Sequence, residues 1–234
     1  MSDNFENILT DLDRRYRSKK YLNIAICAVI IILGISSVVY IFMSDHEGIL
    51  TFRWMTVDGT IFTVLMSILF IAVNIVELRH KTELTRQSVY FTRLSSAVAE
   101  CLILVVVLLS QLPCFTEHMH IFRYDMFNMH ILIPLLTVCS FVTNDSPIGR
   151  LKWYKIVAGS IFIFIYTVVI LTLIATDVIG HEQIPYFFLD IKNMSVAFTV
   201  FCFVFIYGVS FLLSWGLSRL NIRLYWRWFR NLGR

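Results

Sequence analysis

The sequence predicts an all-α, multi-pass membrane protein with six transmembrane helices in one bundle. Of its 234 residues, 58% are hydrophobic and only 15% are charged, and the mean hydropathy is +0.74. A soluble domain has about 25% charged residues, so this composition excludes one. High apolar content, few Gly and Pro, and the lack of a repeat also exclude a disordered chain, collagen and a coiled coil.

Each predicted helix is an apolar run near the roughly 20 residues that cross about 30 Å of hydrocarbon. The six runs are residues 21–43, 54–76, 97–112, 126–142, 156–176 and 194–217. The sequence therefore divides into an N-terminal segment (1–20), a transmembrane domain (21–217) and a basic tail (218–234). No sizeable soluble domain fits between the runs, so function is expected in the bundle or its short loops.

The distribution of Lys and Arg predicts the orientation. With six spans, seventeen of the 20 basic residues fall on the side of the two termini, and only Arg53, Arg123 and Lys192 fall on the other. Because positive residues are retained in the cytoplasm, both termini are predicted to be cytoplasmic. The predicted location of the protein is the cell membrane. The same retention explains the net charge of +4, so no nucleic-acid partner is expected.

The ends of the chain fit this topology. The first run is long and has no A-x-A-like cleavage site, which is typical of a retained signal anchor. In the basic tail, Arg recurs at steps of four and three residues from Arg219 to Arg230, with aromatic and Leu residues between. This pattern suits an amphipathic helix on the inner leaflet or, more simply, a continuation of the sixth span.

Polar residues at membrane depth are expensive and mark candidate sites. No serine-hydrolase elbow, HExxH zinc motif, phosphate loop or dinucleotide motif is present, and no cofactor or metal ion is expected. However, Thr56 at the start of span two, His130 at the start of span four and Asp190 before span six meet at the predicted outer end. A hydroxyl, an imidazole and a carboxylate are the components of an activated nucleophile.

Three short patches carry a family resemblance. They are Phe-Arg-Trp-Met-Thr at 52–56, Met-His-Ile-Leu-Ile-Pro at 129–134 and Pro-Tyr-Phe-Phe-Leu-Asp at 185–190. In order and spacing the chain resembles the androgen-induced-protein family of six-span membrane proteins, in which human members are threonine-dependent hydrolases of fatty acid esters of hydroxy fatty acids. The resemblance implies that Thr56 is the nucleophile and His130 the base, acting on a fatty acyl ester.

Several assignments stay open at this point. Asp58, Asp125 and Asp190 are all candidates to orient the imidazole or line the pocket. Thr60 and Thr63 share a helical face with Thr56, and a membrane-helix Thr most often bonds its own backbone carbonyl.

Other polar groups have simpler explanations. The HxH sequence of the loop 117–120 is a weak metal signal. Glu77, His80 and Glu100 fall near the inner ends of spans two and three, where a second buried polar set is one interpretation. Solvation at the membrane interface is the simpler expectation.

Three functions remain at the end of the sequence argument. The leading hypothesis is a lipid ester hydrolase that uses Thr56 and His130 on an acyl ester reached through membrane lipids. The alternative is a non-catalytic protein that binds a lipid or a partner protein. A small transporter or channel ranks third, since no polar stripe along the spans is expected.

Overall fold

The computed structural model describes residues 2–44, 48–80, 87–111, 122–147 and 151–230, and these residues contain helices and no strand. Within these residues, six helices are long and apolar enough to cross a membrane, which confirms the all-α, six-helix fold. They are α1 (Ser2–Ser44), α2 (Met55–His80), α3 (Gln87–Val106), α4 (Tyr124–Asn144), α5 (Trp153–Ala175) and α6 (Val196–Arg230).

Some helices extend well beyond the apolar runs. Helix α1 begins in the N-terminal segment, and α6 continues without a break through Arg230, so the described part of the basic tail belongs to the same helix as the sixth span. Helix α3 begins at Gln87 rather than near residue 97. Arg93, which precedes the third apolar run and was counted among the basic residues on the side of the termini, therefore lies in the helix and not in a loop. Its side chain is fully buried and paired with Asp145.

Helix α3 is the central helix of the bundle. It packs against α2, α4, α6 and the first turns of α5, while α1 packs against α2 and α4. Two glycines allow close helix contacts: a Cβ at Gly34 would lie 2.4 Å from Val64 Cγ2, and a Cβ at Gly159 would lie 2.2 Å from Ser214 Oγ. The absence of a side chain at Gly34 and Gly159 therefore allows α1 to pack closely against α2, and α5 against α6.

Polar side chains fill much of the interior between the helices. On α2, Thr56, Thr60, Thr63, Ser67, Asn74 and Glu77 recur at steps of three and four residues, with Phe70 completing the series. We call these residues the α2 stripe; all beyond Thr56 are buried. Buried polar residues on the facing helices include Lys20, Asn23 and Ser37 of α1, Arg93, Ser96 and Glu100 of α3, and Thr137, Ser140 and Asn144 of α4. The expectation that the spans lack a polar stripe is wrong.

An ion-pair cluster closes the interior at the end of the bundle nearest the termini. Arg93 Nε lies 3.3 Å from Asp145 Oδ2, and Lys20 Nζ lies 2.6 Å from Glu77 Oε2. Asn23 links the pairs to the core by donating to Asp145 Oδ1 at 3.0 Å. The expectation that Glu77 is solvated at the membrane interface is thus wrong, because its side chain is fully buried. His80, by contrast, is exposed.

Candidate functional site

Thr56 lies in the first turn of α2, at the end of the bundle opposite the ion-pair cluster. A 3₁₀ turn, Gly48–Arg53, leads into the helix. The hydroxyl of Tyr166 on α5 donates to the Arg53 carbonyl at 2.5 Å. Because α1, α2 and α5 all contact this corner, the position of the Thr56 side chain is fixed by the packed bundle rather than by a loose loop.

His130 lies in a π-helical turn, Asn128–Leu132, within α4. The Ile133 N–H donates to the Asn128 carbonyl five residues back, which widens the helix at this point. Pro134 follows at once and has no N–H to donate to the His130 carbonyl, so a regular α-helical turn cannot form there. Such π turns occur often at functional sites.

The structure brings the two predicted residues together. Thr56 Oγ1 lies 3.4 Å from His130 Nε2, and His130 Nδ1 lies 3.0 Å from the Met126 carbonyl oxygen. A carbonyl only accepts hydrogen bonds, so in the neutral ring Nδ1 carries the proton and Nε2 presents its lone pair to Thr56. This is the arrangement that a base needs in order to take the hydroxyl proton, at a distance typical of a site without substrate.

Thr56 differs from three other threonines of the membrane helices in the partner of its hydroxyl. Thr143, Thr167 and Thr172 each donate to the backbone carbonyl four residues earlier, at 2.7 to 2.8 Å. That local bond is the usual one for Thr in a membrane helix. The Thr56 hydroxyl instead contacts an imidazole from another helix, so local backbone capping does not account for it.

Of the three candidate carboxylates, Asp125 is the one that acts on His130. It is buried one turn before the histidine, close enough for its charge to act on the ring. Its two oxygens accept from Arg123 Nε and Arg123 Nη2, both at 2.7 Å. Asp125 therefore stabilises the start of α4 and supplies negative charge near the imidazole, while the Met126 carbonyl orients the ring.

The other two carboxylates lie elsewhere, and within the described ranges neither bonds to His130. Asp58 is next to the phenols of Tyr166 and Tyr186. Asp190 pairs with His181 at 3.3 Å and accepts from Asn193, in the loop between α5 and α6. Asp58 therefore lines the site. Asp190 belongs to the loop between α5 and α6, which covers the site.

Sequence reasoning did not assign a role to Tyr186. Its side chain lies against the Thr56 side chain and the Met55 backbone, and its ring packs 5.8 Å from that of Trp54. Burial raises the pKa of Tyr186 to about 12, so the phenol stays protonated at neutral pH and can donate a hydrogen bond. The signal was present in the Pro-Tyr-Phe-Phe-Leu-Asp patch, where only the Asp was singled out.

The metal-compatible loop 117–120 lies outside the described residues. Among the residues that are described, no three His, Cys, Asp or Glu side chains group as metal ligands.

Comparisons with known protein families, curated proteins and solved structures return no match to this chain. The geometry of the Thr56–His130 pair is therefore the main indication of function.

Proposed function

We propose that the protein is an integral membrane lipid ester hydrolase, with Thr56 as nucleophile and His130 as general base. The observation that carries the proposal is the 3.4 Å contact between Thr56 Oγ1 and the lone-pair nitrogen of His130. The resemblance to the androgen-induced-protein family implies the same two roles. With both termini in the cytoplasm, the site faces the outer leaflet of the cell membrane.

The reaction runs in two halves. His130 Nε2 takes the Thr56 hydroxyl proton as Oγ1 attacks the ester carbonyl carbon. The tetrahedral intermediate then collapses, the bond to the alcohol oxygen breaks, and His130 returns its proton to that oxygen. Water, deprotonated in turn by His130, attacks the acyl-Thr56 ester. The bond between the acyl carbon and Thr56 Oγ1 then breaks, His130 returns the proton to Oγ1, and a carboxylic acid is released. The Asp125 charge stabilises the imidazolium formed in each half.

A side-chain donor is available for the developing oxyanion. The nearby Val57 and Asp58 N–H groups, in the first turn of α2, already donate to the Trp54 carbonyl. The Tyr186 phenol lies against the Thr56 side chain and keeps its proton. Preorganised donors of this kind are usually the largest single contribution to catalysis of acyl transfer.

The surroundings of the site suit a long acyl chain. Ile49 and Phe52 before α2, and Phe122 before α4, expose large apolar side chains at the same end of the bundle. An acyl ester dissolved in the bilayer can contact these side chains without entering water. The proposed substrate class is therefore a fatty acyl ester, such as a fatty acid ester of a hydroxy fatty acid.

The test is covalent labelling of the detergent-purified protein by a fluorophosphonate probe. We expect the native protein to be labelled, Thr56→Ala and His130→Ala to lose labelling, and Thr56→Ser to keep part of it because a hydroxyl remains. Thr172→Ala is the matched control: this exposed threonine bonds its own helix, so its loss should leave labelling unchanged. All variants are first checked for native elution on a size-exclusion column.

Two results would contradict the proposal. One is a folded native protein that the probe does not label. The other is equal labelling of Thr56→Ala and the native protein. Either would favour the non-catalytic alternative, in which the bundle binds a lipid or a partner protein.

A further inference from the structure

Glu100 is an acidic side chain that the proposed hydrolysis does not use. It lies on α3, faces the α2 stripe and is 0% exposed. Both of its carboxyl oxygens are without a hydrogen-bond partner within the described part of the chain. The Thr63 hydroxyl lies beside the carboxyl and itself contacts Ser96 Oγ at 2.9 Å.

No cation in the described interior is left to neutralise Glu100. Arg93, seven residues earlier on α3 and therefore about 10 Å away along the axis, is paired with Asp145. Lys20 is paired with Glu77. Further titratable groups on the neighbouring helices include Asp58 of α2, Asp125 and His130 of α4, Tyr166 of α5 and Tyr207 of α6. None of these is a lysine or arginine, and the buried polar face of α6 carries Ser210, Ser214, Ser218 and Asn221.

A carboxylate in this position is energetically prohibitive. An isolated ionised group in a low-dielectric interior is so costly that it takes up a proton instead. Intramembrane acids of this kind recur in the proton relays of pumps and transporters. Glu100 is therefore expected to be neutral. It is buried, it has no hydrogen-bond partner among the described residues, and the interior holds more acidic than basic side chains.

The α2 stripe connects Glu100 to the end of the bundle that holds Thr56. From Thr63 the stripe continues to Thr60 and then to Thr56, each about one helical turn, or roughly 5 Å, from the last. The Thr60 hydroxyl is also buried without a partner in the described residues. Single waters bridge such gaps between buried polar groups and satisfy them.

We propose that Glu100 is a proton-binding site in the membrane interior, and that its proton exchanges with water through the α2 stripe from Thr63 to Thr56. This inference does not depend on Thr56 being a nucleophile. It gives the bundle a second activity, the uptake and release of a proton at mid-membrane.

Infrared spectroscopy of the purified protein in lipid tests the proposal. A protonated carboxyl has a C=O stretching band that a carboxylate lacks. We expect the difference spectrum, native minus Glu100→Gln, to show this band at neutral pH, and the band to shift when H₂O is replaced by D₂O. Glu100→Asp should keep a band at a changed frequency, which shows that the signal follows a carboxyl at this position.

A path variant tests the route. Thr60→Val removes the hydroxyl but keeps the shape, so it should leave the band in place and slow its shift in D₂O at least several-fold. Thr172→Val, at an exposed threonine away from the stripe, should change neither. If Glu100→Gln does not fold, the pH titration of the native band and the Thr60→Val exchange rate still decide the question.

Three results would overturn the inference. Without a band at neutral pH, Glu100 is ionised. A band that never shifts in D₂O shows a proton that does not exchange. If sodium chloride abolishes the band and choline chloride does not, the group binds a sodium ion in place of a proton.

Discussion

Removal of the Arg93 charge should destabilise the bundle far more than removal of an exposed charge. Arg93 is fully buried, donates to Ser140 Oγ at 2.9 Å and lies over the Phe70 ring at 5.0 Å. Arg93→Met keeps most of the apolar volume but leaves Asp145 without its cation. The exposed pair Lys192–Asp177 supplies the matched control, Lys192→Met.

The structure sets the expected size of the effect. At the 3.3 Å separation of Arg93 and Asp145, Coulomb's law with an effective dielectric constant of about 20 gives an attraction of about 5 kcal/mol. Breaking a buried pair by removing one partner costs about 3–5 kcal/mol, because the other charge stays buried. Lys192→Met should cost less than about 1 kcal/mol, since both members of the Lys192–Asp177 pair are solvated.

The assay is unfolding in mixed micelles with increasing sodium dodecyl sulfate, followed by circular dichroism. Asp145→Asn and the double variant complete a cycle. The double variant should be less destabilised than the sum of the two single variants, because neither charge is then left alone. If Arg93→Met costs no more free energy of unfolding than Lys192→Met, the cluster does not hold the bundle together as argued.

Two further predictions use the same preparations. Gly159→Ala should lower stability by about 1–3 kcal/mol, because its Cβ would lie 2.2 Å from Ser214 Oγ. Gly208→Ala, with nothing within 4 Å of its Cβ, should be neutral or stabilising; equal losses would refute the close helix contact. Tyr186→Phe should slow probe labelling by on the order of 100-fold if the phenol donates to the oxyanion. Since its pKa is raised to about 12, the native rate should show no Tyr186-dependent fall near the ordinary tyrosine pKa of about 10.

The number of membrane helices was predictable because it depends on average composition, whereas the polar interior was not. Averaging over a span hides Thr60, Thr63 and Glu100 among many apolar neighbours. Their spacing of three and four residues was visible in the sequence, but the facing residues of other helices were not. Only the packed bundle shows that Arg93 pairs with Asp145. It also shows that α3 begins well before its apolar run.

The site was predictable in its two principal residues and not in its details. Topology alone places Thr56 and His130 at the same end of the bundle. The choice of orienting group depends on the π turn, which turns Nδ1 toward the Met126 carbonyl and away from any carboxylate. Hydrogen-bond geometry within a single turn is not encoded in residue spacing, so Asp58, Asp125 and Asp190 could not be distinguished.

The backbone partner of His130 has a chemical consequence that a carboxylate partner would not have. A carboxylate bonded to Nδ1 stabilises the imidazolium strongly, while a carbonyl fixes the tautomer with less stabilisation. In this bundle the charge comes instead from Asp125, which stands near the ring but bonds Arg123. Orientation and charge are thus supplied by different groups. A neutral, correctly oriented imidazole is therefore compatible with an apolar environment until the hydroxyl proton is transferred.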